Sequence, residues 1–345
     1  IWNANGDMSA NGVDILLSLD GGSAGGNTWP ITLADDYTTG IQSGSNTFAW
    51  APVNTNIKSD QCVIKVVSSL HSSVEKESGT FTVMPKITVT TPGTQIATTR
   101  PSLTWTYTGD QTSFVDIWLD PNGDGDMSDK VVLDDGSGNG VAIDVAKPYQ
   151  TANALPNASY SSAKIRIVDH DPLYQSYVYG DTGTFAIKGD IQLNPATTQD
   201  QTLTAGTLHT ISWTNYGTFS RIAAYAILNP GPSETTVTIN DNLAGTATSV
   251  DWTPQDNHIS ANVLFRVEDF FDNTIRGETP SGNANEVVGS LDLTYPNGFE
   301  NLVVGTSNSV KWIKQGNIGN IKIELSKDNK LSWLTAAESN LTDSY

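Results

Sequence analysis

The chain has 345 residues, with 37 acidic against 18 basic side chains and a formal net charge of −19. A surface this acidic repels phosphate backbones, which argues against general nucleic-acid binding. No apolar run reaches the roughly 18 residues that a membrane-spanning helix needs, and the 9 Trp, 11 Tyr and 9 Phe argue against disorder.

A tryptophan motif recurs roughly every 100 residues along the chain. After each tryptophan come a polar loop and then a short strand of alternating apolar and polar residues. The motifs are Ile1-Trp2, Leu103-Thr104-Trp105, Ile211-Ser212-Trp213 and Val310-Lys311-Trp312, and the strands that follow are 13–17, 115–119, 222–226 and 321–325. Self-similarity at a fixed period predicts a repeat architecture.

Three later landmarks follow in the same order in each of the first three repeats. The first is a Trp-x-Pro segment, which the second repeat replaces by Val145-Ala146-Lys147-Pro148. The second is a strand with a basic residue on its outward face, and the third is a closing strand. The outward-basic strands read Ile64-Lys65-Val66, Ile165-Arg166-Ile167 and Phe265-Arg266-Val267, and the closing strands are 79–83, 183–187 and, more weakly, 285–288.

These landmarks divide the chain into four units: 1–85, 86–189, 190–289 and 290–345. The first unit lacks an opening strand and the fourth stops before its Trp-x-Pro landmark, so we expect a segment of a longer array. Short alternating strands separated by Gly, Asn, Asp and Pro predict an all-β fold of tandem immunoglobulin-like β-sandwich domains. Each closing strand runs almost directly into the next opening strand, which predicts a semi-rigid rod.

The fourth unit carries a recognisable pattern: YPNGFE at 295–300, VGT at 304–306, VKW at 310–312 and GNIGNIKIELS at 316–326. It resembles the tandem Ig-like repeats of large bacterial cell-surface proteins of the planctomycete surface-layer type, and it is similar to the sandwich module of the Ser/Thr-rich cell-wall proteins. The resemblance implies a β-sandwich and a place at the cell surface. It is weak for function, because the same modules also occur in adhesins and as spacers in secreted enzymes.

One acidic segment of the second unit has the pattern of a calcium loop, with Asp120, Asn122, Asp124 and Asp126 at alternate positions around glycines. Ca²⁺ takes six to eight oxygen ligands, and alternating oxygen side chains on a tight turn can converge on one point. Position 12 of the loop is Val131, and strands rather than helices flank it. The sequence therefore predicts a hairpin loop stiffened by Ca²⁺, against the alternative of a solvated acidic turn.

Weaker oxygen-rich segments occur elsewhere in the chain. Residues 3–7, 134–135 and 240–242 are candidates for further ligands, although ordinary turns explain them more simply. Asp169-His170-Asp171 can orient an imidazole or hold a metal, but a solvated turn is favoured.

The remaining candidates concern packing and partners. The single cysteine, Cys62, lies on an alternating strand and is predicted to be a buried core thiol. By register with Ile15 and Ile323, Ile117 points inward, so Trp118 and Asp116 are expected to face outward. Three tryptophans are candidates for stacking on sugars or on a neighbouring subunit, against the alternative of lateral packing on the next domain or strand: Trp29, Trp118 and Trp333. Sequons at Asn157 and Asn340 permit glycosylation.

No catalytic or cofactor-binding residue emerges from the sequence. The favoured function is therefore a non-enzymatic extracellular structural protein, part of a surface-layer-like lattice of Ca²⁺-stiffened Ig-like repeats that associate with identical subunits. The alternatives are an adhesin or carbohydrate-binding stalk that contacts surface glycans, and a spacer of a secreted hydrolase.

Overall fold

The computed structural model describes residues 1–6, 11–26, 28–51, 57–109 and 112–339. It is an all-β protein with 47% strand and 4% helix. Contacts divide it into two compact units, the first formed by residues 1–95, 99–156 and 160–187 and the second by 96–98, 157–159 and 188–345. Within the described residues, no helix is long and apolar enough to cross a membrane.

The first repeat contains a two-stranded and a five-stranded sheet. Its strands are β1 (Trp2–Ala4), β2 (Val13–Ser18), β3 (Ile31–Tyr37), β4 (Gly44–Asn46), β5 (Ser59–Ser68), β6 (Glu75–Glu77) and β7 (Phe81–Val83). β1 pairs with β4, and the larger sheet runs β3-β2-β5-β6 with β7 also on β5. β2 alternates because one of its faces packs on the core, where Ile15 and Leu17 are buried.

The second repeat repeats this plan in the first compact unit. Its strands are β8 (Lys86–Val89), β9 (Gln95–Ile96), β10 (Ser102–Leu103), β11 (Trp105–Thr108), β12 (Phe114–Asp120), β13 (Val131–Asp134), β14 (Val141–Ala142), β15 (Tyr149–Gln150), β16 (Tyr160–Asp169), β17 (Tyr179–Asp181) and β18 (Phe185–Lys188). β12 lies between β13 and β16, and β16 also pairs with β17 and β18.

The third repeat, in the second compact unit, has the same central arrangement. Its elements are β19 (Asp190–Leu193), α1 (Pro195–Thr198), β20 (Thr202–Thr204), β21 (His209–Tyr216), β22 (Arg221–Leu228), β23 (Thr235–Ala244), β24 (Ser249–Trp252), β25 (Ser260–Asp269), β26 (Arg276–Glu278) and β27 (Asn285–Val288). A three-stranded sheet, β19-β21-β24, packs on a larger sheet in which β22 lies between β23 and β25. Trp213 fills the space between the sheets with Ile191, Ile222, Ala224 and Val267.

The fourth repeat has two hairpin-like pairs in the described residues. Its strands are β28 (Ser290–Tyr295), β29 (Lys311–Gln315), β30 (Ile321–Leu325) and β31 (Leu334–Ser339). β28 pairs with β29 and β30 with β31, both antiparallel. Trp312, at the repeated tryptophan position, is buried.

The prediction that Cys62 is a buried core thiol is confirmed, because Cys62 is free and fully buried, and burial raises its pKa. Of the four repeated tryptophans, Trp105, Trp213 and Trp312 are buried, whereas Trp2 is half-buried. The outward basic residues occupy equivalent positions in the three repeats, and each forms an ion pair with an acidic residue on the neighbouring strand. The pairs are Lys65–Glu75 at 3.3 Å, Arg166–Asp181 at 2.6 Å and Arg266–Glu278 at 3.0 Å.

Candidate functional site

The acidic segment of the second repeat forms the loop of the β12–β13 hairpin. The strands are antiparallel, with Trp118 opposite Val132 and Leu119 opposite Val131. Asp120 is the last residue of β12 and is fully buried, whereas Asn122, Asp124 and Asp126 are exposed in the loop. The hairpin setting is therefore as the sequence predicts.

Asp120 organises the loop from its base. Its Oδ1 accepts a hydrogen bond from the Gly123 amide at 2.7 Å and its Oδ2 accepts one from the Gly125 amide at 2.8 Å. Both glycines have positive φ, 72° and 89°. A Cβ on Gly123 would lie 2.2 Å from the Ser162 carbonyl oxygen, so only glycine fits this close approach.

The three exposed side chains each accept a hydrogen bond from the amide two residues further along. Asn122 Oδ1 accepts from Asp124 N at 3.0 Å, Asp124 Oδ1 from Asp126 N at 2.7 Å, and Asp126 Oδ1 from Ser128 N at 2.9 Å. These are successive Asx turns, which hold the loop in a tight coil. Each aspartate side chain in the coil brings a second carboxylate oxygen that is not part of its turn.

A cluster of three converging carboxylates lies elsewhere, in the first repeat. One carboxylate oxygen from each of Asp14, Asp35 and Asp36 lies within 4.8 Å of the others, an arrangement that the 120–126 loop does not show. Asp14 accepts hydrogen bonds from the Asp36 amide at 3.0 Å and from Ser69 Oγ at 2.7 Å. These bonds lower the pKa of Asp14, while the negative charge of Asp14, followed by that of Asp36, raises the pKa of Asp35.

Trp118 lies on the face of β12 opposite Ile117, as the register predicts, but it is only 7% exposed. Lys130 Nζ lies 3.2 Å from the centre of its ring. Asp116 on the same face is also buried, with its Oδ1 2.8 Å from His170 Nδ1. Trp118 is therefore packed laterally inside its own repeat, where the Lys130 cation–π contact covers its ring, and this agrees with the packing alternative rather than with stacking on a sugar.

The other two tryptophans differ from Trp118. Trp29 is half-buried, with Lys65 Nζ 4.3 Å from its ring centre. Trp333 is 52% exposed in the fourth repeat, so it is the tryptophan of the three that remains most accessible to a partner.

Asp169 is not part of a solvated turn. It is 2% exposed, and its Oδ2 accepts from Thr112 Oγ1 at 2.8 Å and lies 2.6 Å from Lys58 Nζ. Lys58 also lies 4.3 Å from the ring centre of Tyr174. A lysine of the first repeat is thus paired with a buried carboxylate of the second, inside one compact unit.

A related contact joins the third and fourth repeats inside the other compact unit. Asp256 Oδ1 accepts from the Gly316 amide at 2.8 Å, and the Asp256 carbonyl accepts from the Asn317 amide at 3.0 Å. Gly316 has φ 86°, and a Cβ there would lie 3.0 Å from the Cα of Gly289 in the connection between the repeats. Lys58 and Asp256, which make these two contacts between repeats, both lie just before the outward-basic strand of their repeat, β5 and β25 respectively.

The other candidate ligands have structural partners. Asp134 Oδ1 accepts from the Gly136 amide at 3.0 Å, and its Oδ2 accepts from Tyr149 Oη and Ala152 N at 2.7 and 2.8 Å. Asn157 is exposed, and its Oδ1 accepts from the Gly217 amide at 2.5 Å. Asp7, at the end of the 3–7 segment, and the Asn340 sequon lie outside the described residues.

The environment of the Tyr149 phenol predicts that the stability of the fold depends on pH in the alkaline range. Burial, and then the hydrogen bond and charge of Asp134, raise the pKa of Tyr149 to about 12, compared with about 10 in an unfolded chain. The neutral phenol therefore stabilises the fold fully below pH 10, and this contribution is lost as the pH rises through about 12. The absorbance titration curve of the wild-type protein, after subtraction of the curve of the Tyr149→Phe variant, is expected to show one phenol that titrates with a midpoint near 12.

Asp134→Asn serves as the control for this titration. It removes the charge but keeps an acceptor, so the midpoint is expected to fall while remaining above 10, because burial is the larger cause. A difference curve centred at 10 in the wild-type protein would contradict the prediction.

Comparisons with known proteins do not assign this chain to a family. No protein-family model matches the sequence, and no curated protein sequence matches it either. Among solved structures, the chain is similar to the crystal structure of the FN1-FN3 domains of chicken CNTN1, with 13% identity over 75% of this chain and 88% of that one and a TM-score of 0.23. The assignment to tandem β-sandwiches rests on the strand pairing described above.

Proposed function

We propose that the chain is a non-enzymatic structural segment of an extracellular, surface-layer-like lattice. The observation that carries the proposal is the repetition of one internally braced sandwich. Three successive repeats use the same central strand pair and the same outward acid–base pair, and adjacent repeats are connected by one or two residues between closing and opening strands. Such construction suits a load-bearing module, and it provides a repeated surface for identical subunits.

In this proposal Ca²⁺ binds the 120–126 loop and stiffens the second repeat. The fully buried Asp120 and the exposed Asn122, Asp124 and Asp126 supply oxygen ligands of the kind that Ca²⁺ prefers. Successive Asx turns fix the backbone of the loop that carries these residues, and Ca²⁺ would neutralise the mutual repulsion of their carboxylates. Surface acids elsewhere keep subunits soluble until divalent ions screen them.

The test of Ca²⁺ binding is thermal unfolding with and without the ion. We expect Ca²⁺ at 100 times its dissociation constant to stabilise the second repeat by about 2.7 kcal/mol, and EDTA to reverse the effect. Asp124→Asn preserves the acceptor of the Asx turn but removes one charge, so calorimetry is expected to show weaker Ca²⁺ binding by about tenfold. Asp292→Asn, an exposed change of the same charge on β28, is the matched control.

The outcomes separate the lattice from its alternatives. Ordered sheets that form with Ca²⁺ and dissolve in EDTA, seen by electron microscopy, support the lattice. A chain that stays monomeric with Ca²⁺ at high concentration and binds a glycan array would instead indicate an adhesin or carbohydrate-binding stalk. A melting temperature indifferent to EDTA would remove Ca²⁺ from the proposal.

A further inference from the structure

A cleft of about 340 Å³ opens on the second repeat, at the end of β12 opposite to the 120–126 loop. Its walls come from β11, from the start of β12 and from the residues that follow β14. A cleft of this size accommodates a small-molecule ligand. The lining residues that matter for recognition are Tyr107, Ser113, Phe114 and Asp144.

The cleft lies where the second repeat lacks a ring that the third repeat has. Three residues before the first core position of the central strand, the second repeat has Thr112 and the third has Phe219. Phe219 packs against the core around Trp213. Thr112, in contrast, donates its hydroxyl to the buried Asp169 at 2.8 Å. The second repeat therefore has no aromatic side chain at this position, and Thr112 becomes part of the cleft wall.

Aromatic rings and free hydrogen-bonding groups line the cleft together. Tyr107 and Phe114 are 37% and 48% exposed. In the described residues, the hydroxyls of Tyr107 and Ser113 and the carboxylate of Asp144 have no hydrogen-bond partner. A ligand that matches these walls needs an apolar face for the rings and several hydroxyl groups for the polar side chains.

The charges around the cleft favour a neutral ligand. The described lining residues include no basic side chain, so nothing there neutralises an anion. The charge of Asp144 already acts on Lys147, because burial lowers the pKa of Lys147 and Asp144 opposes this effect. Lys147 Nζ is fixed in place by the carbonyls of Ile143 and Val145, to which it donates at 2.8 and 2.9 Å. Asp144 therefore has a cation within its own repeat, while its oxygens still accept hydrogen bonds.

We propose that this cleft binds one pyranose unit of a neutral glycan. The C–H face of the sugar packs on the rings of Tyr107 and Phe114. Sugar hydroxyls donate to Asp144 and exchange hydrogen bonds with the hydroxyls of Ser113 and Tyr107. The sugar site of the second repeat is thus this cleft rather than Trp118. Binding here requires neither Ca²⁺ nor a second copy of the chain, so the proposal goes beyond the lattice.

The test titrates the full 345-residue chain, in EDTA, with neutral hexasaccharides of glucose, mannose and N-acetylglucosamine by isothermal titration calorimetry. We expect saturable binding of at least one of them, together with slowed hydrogen exchange of amides in 112–114 and 142–144. Phe114→Ala is expected to weaken this binding about tenfold through lost ring contact. Tyr177→Ala removes a ring of the same 48% exposure elsewhere in the repeat and is expected to leave binding unchanged.

Substitutions of Asp144 separate a neutral ligand from a cationic one. Asp144→Asn removes the charge but keeps an acceptor, so it is expected to retain most of the binding, whereas Asp144→Ala is expected to weaken it about tenfold. A lysine hexapeptide and a heparin hexasaccharide are expected not to bind the cleft. If the lysine hexapeptide binds in place of the sugars and Asp144→Asn abolishes that binding, the ligand is cationic and the proposal is wrong.

The remaining outcomes are equally decisive. Hydrogen exchange is measured on the wild-type chain, so it locates the site even where Phe114→Ala disturbs β12. Absence of binding by every neutral hexasaccharide would overturn the proposal, and so would binding that is indifferent to both Phe114→Ala and Asp144→Ala. Because the titration is made in EDTA, its result is independent of whether Ca²⁺ assembles the chain into ordered sheets.

Discussion

Replacing Lys58 by methionine is expected to destabilise the first two repeats by about 3–5 kcal/mol. Lys58 Nζ lies 2.6 Å from Asp169 Oδ2, and the two side chains are 11% and 3% exposed. Methionine preserves much of the volume but leaves the Asp169 carboxylate buried without its cation. Because Thr112 and the Asp171 amide still donate to this carboxylate, the loss is expected at the lower end of the range.

A double-mutant cycle isolates the ion pair from other effects. Asp169→Asn removes the charge and keeps an acceptor for Thr112, so the double variant Lys58→Met with Asp169→Asn is expected to be more stable than Lys58→Met alone. Lys76→Met, an exposed change on β6, is expected to alter stability by less than about 0.5 kcal/mol. Urea unfolding followed by tryptophan fluorescence provides the measurement, and equal effects of Lys58→Met and Lys76→Met would contradict the prediction.

Local sequence patterns were sufficient to predict the repeat, its strands and the outward basic residues. Alternation places Lys65, Arg166 and Arg266 on the solvent side of their strands, and the structure pairs each with an acid. The hairpin around Asp120 was predictable for the same reason, because strand pattern and turn residues are both local. Whether Ca²⁺ binds there depends on how closely the carboxylate oxygens of the loop approach one another, and the amino-acid composition does not determine that distance.

The features that sequence reasoning missed depend on long-range contacts. The sequence favours a solvated turn at Asp169, but its carboxylate is buried and paired with Lys58 of the preceding repeat. Alternation places Trp118 on the face opposite Ile117, but it does not show that Lys130 covers the indole ring. The group formed by Asp14, Asp35 and Asp36 depends on irregular pairing of β2 with β3, where the register shifts on either side of Ile15. A sequence pattern that assumes regular strand pairing cannot predict that these three carboxylates lie close together.

Truncating the repeated tryptophan is expected to be as damaging as breaking the ion pair. Trp105 and Trp213 are 2% and 3% exposed, so Trp105→Ala and Trp213→Ala are each expected to cost about 3–5 kcal/mol through lost burial and the cavity left behind. Trp333→Ala, at a residue 52% exposed, is expected to stay within about 0.5 kcal/mol. Chemical denaturation of the three variants gives the comparison.

Phenylalanine substitutions separate the hydrogen bond from the packing. Trp105 Nε1 donates to the Ile143 carbonyl at 3.0 Å, whereas Trp213 Nε1 has no hydrogen-bond partner in the described residues. Trp105→Phe therefore loses a hydrogen bond in addition to volume, but Trp213→Phe removes a buried polar group that was already unpaired. We expect Trp105→Phe to be the more destabilising of the two by about 1 kcal/mol, and the opposite order would show that the ring volume, not the indole hydrogen bond, sets the difference.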